Sequence, residues 1–212
     1  MMPRVWLAGA VLSLTAAAAD VGAVAKGLEQ RYNRASTLQA RFEQTHLVAG
    51  RPRRVESGML ILRKPGRMRW EYDRPPGKLF VCDGRWVWLY SPGAQQVERA
   101  RLKEADDFRA PLAFLIGRLD LRRTFSTFEL EEQESGARLS AWPKNDRMPF
   151  TRVDFFLNRD YGIERLVIHQ VDATAMEFRF SGERLNVPVD EAVFRFLPPS
   201  GVPVVDTEPQ RW

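Results

Sequence analysis

Gly58-Met59-Leu60-Ile61-Leu62-Arg63-Lys64-Pro65-Gly66-Arg67-Met68-Arg69-Trp70-Glu71-Tyr72 reads as two extended runs broken by Lys64-Pro65-Gly66. After the break, Met68, Trp70 and Tyr72 alternate with Arg67, Arg69 and Glu71, the period-two pattern of a strand with one buried face. The polar set belongs in water, so the Met68 set points inward. Pro and Gly supply the turn because one presets a negative φ and the other tolerates a positive one. The stretch thus predicts strands over 55–63 and 67–73, joined as antiparallel neighbours.

Toward the C-terminus the pattern repeats. Runs at 78–82, 85–91 and 95–100 are separated by Arg74-Pro75-Pro76-Gly77, Asp83-Gly84 and Ser91-Pro92-Gly93, and Asp-Gly between apolar runs is a strong hairpin signal. Toward the N-terminus, Leu38, Ala40 and Phe42 alternate with Gln39, Arg41 and Glu43, another half-buried strand. Before it, Val21, Val24, Ala25, Leu28 and Tyr32 recur at helical spacing behind Asp20, a plausible N-cap, which predicts an amphipathic helix over 21–34. The segment Glu104–Arg123 interrupts the meander. There Pro111, followed by Leu112, Phe114, Leu115, Ile116 and Leu119, suits a short apolar helix with Pro in its first turn. Strands resume at 127–132, 137–142, 150–157, 163–171 and 175–181. The total is about eleven antiparallel strands with few helices, a mainly-β (α+β) chain. A sheet of that size curls, and the two apolar helices are the elements available to cover its concave face. An ordinary α+β core is the competing reading of the same pattern.

The N-terminus has the form of an export signal. Met1-Met2-Pro3-Arg4 is followed by an apolar stretch, Val5–Leu14, and by Ala17-Ala18-Ala19, so cleavage after Ala19 is expected, leaving 20–212 as one domain. Asp20, not Cys, follows that site, and Cys82 is the only cysteine, so neither an N-terminal acyl anchor nor an internal disulfide is expected. Hydrophobic residues make up 44% of the chain, ample for a core. The net charge of +5 is a small difference between 32 basic and 27 acidic side chains, a mixed surface rather than a basic stripe for nucleic acid.

Signals for catalysis are missing. The histidines are His46 and His169 alone, no Gly-x-Ser-x-Gly elbow occurs, and neither metal-ligand spacing nor a phosphate-cradling Gly loop is present. Asp106 and Asp107 precede the mid-chain helix, where negative charge favours a helix N-terminus. No catalytic residue, cofactor or metal is expected.

The quoted stretch, with its Gly, apolar strand, basic-Pro turn and aromatic strand in that order, resembles the outer-membrane lipoprotein carrier family, LolA. Cys82-Asp83-Gly84-Arg85-Trp86-Val87-Trp88-Leu89-Tyr90 is similar to the family's next hairpin, Phe42-Glu43-Gln44 fits its first strand, and Phe194-Arg195-Phe196-Leu197-Pro198-Pro199-Ser200-Gly201-Val202 resembles its ending. The blocks follow family order across nearly the whole chain behind the export signal. The resemblance implies an incomplete antiparallel β-barrel closed by an N-terminal and a mid-chain helical lid, with an apolar cavity for acyl chains. It further implies a monomeric periplasmic carrier that takes acylated lipoproteins from an inner-membrane ABC transporter to an outer-membrane receptor or bilayer.

On that reading the cavity is lined by Leu28, Phe42, Leu60, Leu62, Met68, Trp70 and Tyr72, by Phe178 and Phe180, and by Leu112, Phe114 and Leu115 from the mid-chain helix. Trp88 and Tyr90 oppose Val87 and Leu89, and Phe155 opposes Phe156; both faces of these strands are apolar, and the expectation places Trp88, Tyr90 and Phe155 in the cavity. Many family members carry Arg just before the turn Pro, where it holds the lid closed. Lys64 stands there, keeping the charge without the planar fork of donors, and is the latch candidate. Two other classes fit the sequence: a carrier of another amphiphile, such as a glycolipid or lipid intermediate, and a lipid-sensing regulatory domain of similar fold.

Overall fold

The computed structural model describes residues 20–102, 117–146 and 148–206. The chain opens with helix α1 (Val21–Arg34), where the Asp20 carboxylate accepts from the Gly22 N–H at 3.0 Å. Then come strands β1 (Thr37–Val48), β2 (Arg51–Arg63), β3 (Arg67–Arg74), β4 (Pro76–Asp83), β5 (Trp86–Tyr90) and β6 (Val97–Arg101). The single-turn helix α2 (Leu121–Thr124) leads into β7 (Phe125–Gln133), β8 (Gly136–Pro143), β9 (Phe150–Asn158), β10 (Ile163–Gln170) and β11 (Thr174–Leu185). A 3-10 turn at Glu191–Phe194 and β12 (Val204–Asp206) complete it.

All twelve strands belong to one open sheet in the order β12-β6-β5-β4-β3-β2-β1-β11-β10-β9-β8-β7. Two antiparallel meanders meet where β1 pairs with β11, Phe42 lying opposite Phe180 and Gln44 opposite Phe178. The eleven expected antiparallel strands are β1–β11; to them the fold adds a short twelfth, β12, which runs parallel to β6. Three residues are too few to show a period. β12 is held instead by its partner, through the Val97 N–H to the Pro203 carbonyl at 2.8 Å and Arg99 to the Asp206 carboxylate at 2.6 and 2.9 Å.

One apolar cluster joins α1 to side chains from Val87 on β5 across to Leu139 on β8. Strands sit about 4.8 Å apart, so a flat sheet could not bring such distant strands under one helix; the sheet wraps around α1. The buried stripe of α1 is Val24, Ala25, Leu28 and Tyr32. The mid-chain helix expected from Pro111, with Leu112, Phe114 and Leu115, lies outside the described residues, as does the export signal expected over 1–19.

The opposite, convex face carries the segment that leaves β11. Arg63 donates to the Val189 carbonyl at 3.1 Å, Arg69 to the Val193 carbonyl at 3.3 Å, and Arg67 pairs with Glu191 at 3.3 Å. The Arg67 and Arg69 side of β3 is therefore covered by chain rather than open to water alone. Phe194 is buried beside it.

Candidate functional site

The interior is built from alternate residues of neighbouring strands. Leu38, Ala40, Phe42 and Gln44 of β1 are in register with Leu62, Leu60, Gly58 and Glu56 of β2, and these with Met68, Trp70 and Tyr72 of β3. Phe42 packs edge-on against Trp70 and Tyr72, with centroids 4.6 and 5.0 Å apart, and Trp70 against Phe178 at 5.6 Å. Phe180 stacks on Phe178 at 6.2 Å. Leu28 of α1 comes down on this layer and is fully buried. Phe155 belongs to the same interior, opposite Leu166, whereas Phe156 points outward beneath the Arg165 guanidinium at 3.5 Å.

Trp88 and Tyr90 require a correction. They lie on the convex face, against Phe196 at 5.6 and 6.2 Å, and the inward residues of β5 are Val87 and Leu89. The Asp83-Gly84 turn decides this. Gly84 has φ +95°, and the Asp83 carboxylate accepts from the Arg85 and Trp86 N–H groups at 2.8 and 2.7 Å and from the Trp88 indole at 3.0 Å. That register sets Trp88 opposite Val81 and Val87 opposite Cys82. Phe80, Cys82, Val87 and Leu89 are thus interior residues the sequence reading missed; a period-two count from Trp70 through β4 would have found the first two.

Beneath the aromatic layer lies a polar one. Glu56 is fully buried on the interior face; it pairs with Lys78 at 2.7 Å and with Arg54, and stands 3.9 Å from His46. Tyr72 donates to Gln44 at 3.1 Å, and Lys78 sits over the Tyr72 ring at 4.3 Å. Burial is the main cause holding the His46 pKa below its usual value; Arg54 and Lys78 add to it, against the opposite pull of Glu56. Glu56 was legible as an inward position, two residues before Gly58, but a lone charge in a strand gives no hint of its partners.

α1 is fastened over the interior by polar ties. The Tyr32 hydroxyl donates to Glu183 at 2.7 Å and accepts from the Ile163 N–H at 2.8 Å, while Arg31 reaches the other Glu183 oxygen at 2.6 Å. Asn33 exchanges two hydrogen bonds with the Leu119 backbone, and Glu29 accepts from the Leu121 N–H at 2.7 Å. Lys64 donates to the Tyr32 carbonyl at 2.6 Å, and burial lowers its pKa. Gly27 sits so close under Tyr161 that a Cβ there would lie 2.6 Å from the ring.

Among the described residues the interior is filled by side chains. A void between α1 and the sheet, lined by Tyr32, Leu38, Ala40, Leu60, Ile163, Phe180 and Glu183, measures about 10 Å³, room for one water. An open groove of about 760 Å³ lies on the other side of α1, lined by Lys26, Glu29, Gln30, Asn33, Arg34, Lys64, Pro65, Gly117 and Arg118. Among the described residues no three His, Cys, Asp or Glu side chains come together to hold a metal.

Stability should fall in alkali. Burial raises the Cys82 pKa from 9.0 to about 11 and pushes Tyr32 and Tyr72 further above 10. Between the unfolded and folded values the unfolded chain has lost a proton that the folded chain keeps, so stability drops as pH rises. From about pH 9 to 11 Cys82 alone should cost about 2–3 kcal/mol. Denaturant titrations at the two pH values should show the loss, and Cys82→Ala should remove the part that begins near pH 9 while the share of Tyr32 and Tyr72, which sets in above about pH 10, remains; an equal slope in the variant would refute the assignment.

The fold and interior can be set beside known proteins. Residues 33–197 match the family described as "Outer membrane lipoprotein carrier protein LolA". An outer-membrane lipoprotein carrier protein of Nitrosomonas europaea is 32% identical over 85% of this chain and 87% of its own length. One from Chromobacterium violaceum is 32% identical over 93% and 94%. Among solved structures, an uncharacterized conserved protein from Thermus thermophilus superimposes with TM-score 0.55 at 13% identity, covering 88% of this chain and 98% of that one. MucB does so with TM-score 0.52 at 15% identity, covering 84% and 63%. At such identities the two structures testify to the fold alone.

Proposed function

Since the chain belongs to the LolA family of outer-membrane lipoprotein carriers, we propose that it is a periplasmic carrier that takes the acyl chains of lipoproteins into the space between α1 and the sheet. The supporting observation is an interior of apolar and aromatic side chains from both meanders, covered among the described residues by α1, which meets it with an apolar stripe and is fastened at its C-terminal end by hydrogen bonds and an ion pair. The polar ties can exchange with water, and the apolar contacts of Val24, Ala25 and Leu28 are of the kind that acyl chains would replace, so α1 can leave without the sheet unfolding. Leu28, Phe42, Leu60, Leu62, Met68, Trp70, Tyr72, Phe155, Phe178 and Phe180 are the surface it would uncover; Val87 and Leu89 take the place of Trp88 and Tyr90.

Closure also answers an energetic problem. Burying acyl chain gains about 0.8 kcal/mol per CH₂, so three long chains fully enclosed would gain on the order of 30 kcal/mol, beyond the roughly 20 kcal/mol at which non-covalent affinity saturates. A carrier that tight would never deliver. Exposing the interior when α1 moves offsets much of that gain, and the empty closed form then competes with the loaded one. Loading by an inner-membrane ABC transporter and release to an outer-membrane receptor or bilayer are the steps this economy fits.

The test is expression in the bacterial periplasm, purification without detergent and mass spectrometry of what co-purifies. Stoichiometric acylated lipoproteins are expected; free lipid or glycolipid would replace this reading with another amphiphile's carrier. Lys64→Leu removes the tie to the Tyr32 carbonyl at the end of α1, and it should change the loaded fraction several-fold. An unchanged fraction would discard Lys64 as a latch.

A further inference from the structure

The convex end of the sheet carries aromatic and apolar side chains the interior does not use. Trp86, Trp88 and Tyr90 share one face of β5, and Arg99 and Arg101 stand beside them on β6. The Arg99 guanidinium lies 4.3 Å from the Trp86 ring and 5.4 Å from Trp88; Arg101 lies 4.9 Å and Arg85 5.8 Å from Trp86. Phe196 closes the row against Trp88, and the next residue, Leu197, is 87% exposed, a large apolar side chain held out in water. Val204 and Val205 of β12, the neighbouring edge, are also exposed.

We infer that this patch is a docking surface for an anionic phospholipid bilayer, built from Leu197, Trp86, Arg85 and Arg101. Charge complementarity selects that occupant: Asp206 is taken by Arg99 in a two-bond ion pair, with Arg101 adding only a longer-range attraction to it, and neither Arg85 nor Arg101 forms an ion pair with a carboxylate among the described residues. Indole rings with guanidinium groups at their faces suit the headgroup level, where amphipathic side chains keep one end dry and the other wet. Leu197 is placed to enter the acyl boundary. One leucine and two arginines make a reversible contact, not an anchor, since even a whole myristoyl chain binds only marginally. The patch is on the face away from α1, so docking leaves α1 free to move. This inference rests on the carrier reading for its purpose, not for its chemistry.

The purified protein should sediment with phosphatidylglycerol vesicles about tenfold more strongly than with phosphatidylcholine vesicles, and salt should weaken the binding. Arg85→Gln and Arg101→Gln should each lower the partition coefficient about fivefold, and Leu197→Ser about tenfold, with unchanged melting temperatures. Brominated lipid should quench tryptophan emission in the wild type. No binding to phosphatidylglycerol vesicles, or equal binding by folded variants, overturns the inference, as does binding of this patch to an acidic protein in place of lipid. Co-purifying lipoproteins, scored on the same variants, separate the two ideas. Loaded protein that ignores vesicles sinks only the docking surface, and vesicle binding without acylated cargo sinks only the carrier reading.

Discussion

Gly58→Ala is expected to destabilise the protein by at least about 3 kcal/mol, near the upper end for a single added methyl group. A Cβ at this position would lie 2.0 Å from the Glu71 carbonyl oxygen and 2.8 Å from the Tyr72 Cα, both backbone atoms in a paired strand. No rotamer relieves such a contact; β2 and β3 would have to part. They would part at the pairing irregularity between Ser57 and Gly58, directly under the Phe42 and Tyr72 rings. Gly93→Ala is the control, because a Cβ there meets nothing within 4 Å. Denaturant midpoints should separate the two variants clearly, and a Gly58→Ala loss below about 1 kcal/mol would mean that β2 and β3 do not approach this closely in solution.

Trp70→Ala should cost about 3–5 kcal/mol, a fall of roughly 6–20 °C in melting temperature for a chain of this size. Trp70 is 1% exposed and holds Phe42 and Phe178 on either side. Removing it leaves a cavity in a close-packed layer, and Trp70→Phe should recover part of the loss. The result bears on the state of the empty carrier. A melting temperature that hardly moves would show that the aromatic layer is already apart in solution, with α1 open and the interior wet. A large drop together with increased uptake of a fluorescent apolar probe would place the closed, dry interior as the resting state.

Much of this was legible in the chain, because the fold is made of local signals. The alternation of Met68, Trp70 and Tyr72 with charged residues, and the spacing of Val24, Leu28 and Tyr32 behind Asp20, declare their elements by period. The register of each hairpin follows from its turn. The same signals put Phe42, Trp70 and Phe178 on the interior face, since only one side of those strands is apolar. The family, too, was visible in the order of short blocks.

Tertiary structure decided what period could not. Where both faces of a strand are apolar, as in Trp86–Tyr90, alternation says that two faces exist but not which turns inward; the Asp83 hydrogen bonds and the pairing with Val81 and Cys82 choose. The C-terminal segment that makes the outer face of β5 a place for tryptophan arrives from about a hundred residues away, as does the β6 edge that holds β12. Glu56 gains Lys78, and Lys64 gains the end of α1, across 22 and 32 residues. Periodicity is a property of neighbours in sequence, and it determined the elements and most inward faces. Closure, polar fastening and the second, outward patch depend on side chains that only the curl of the sheet brings together.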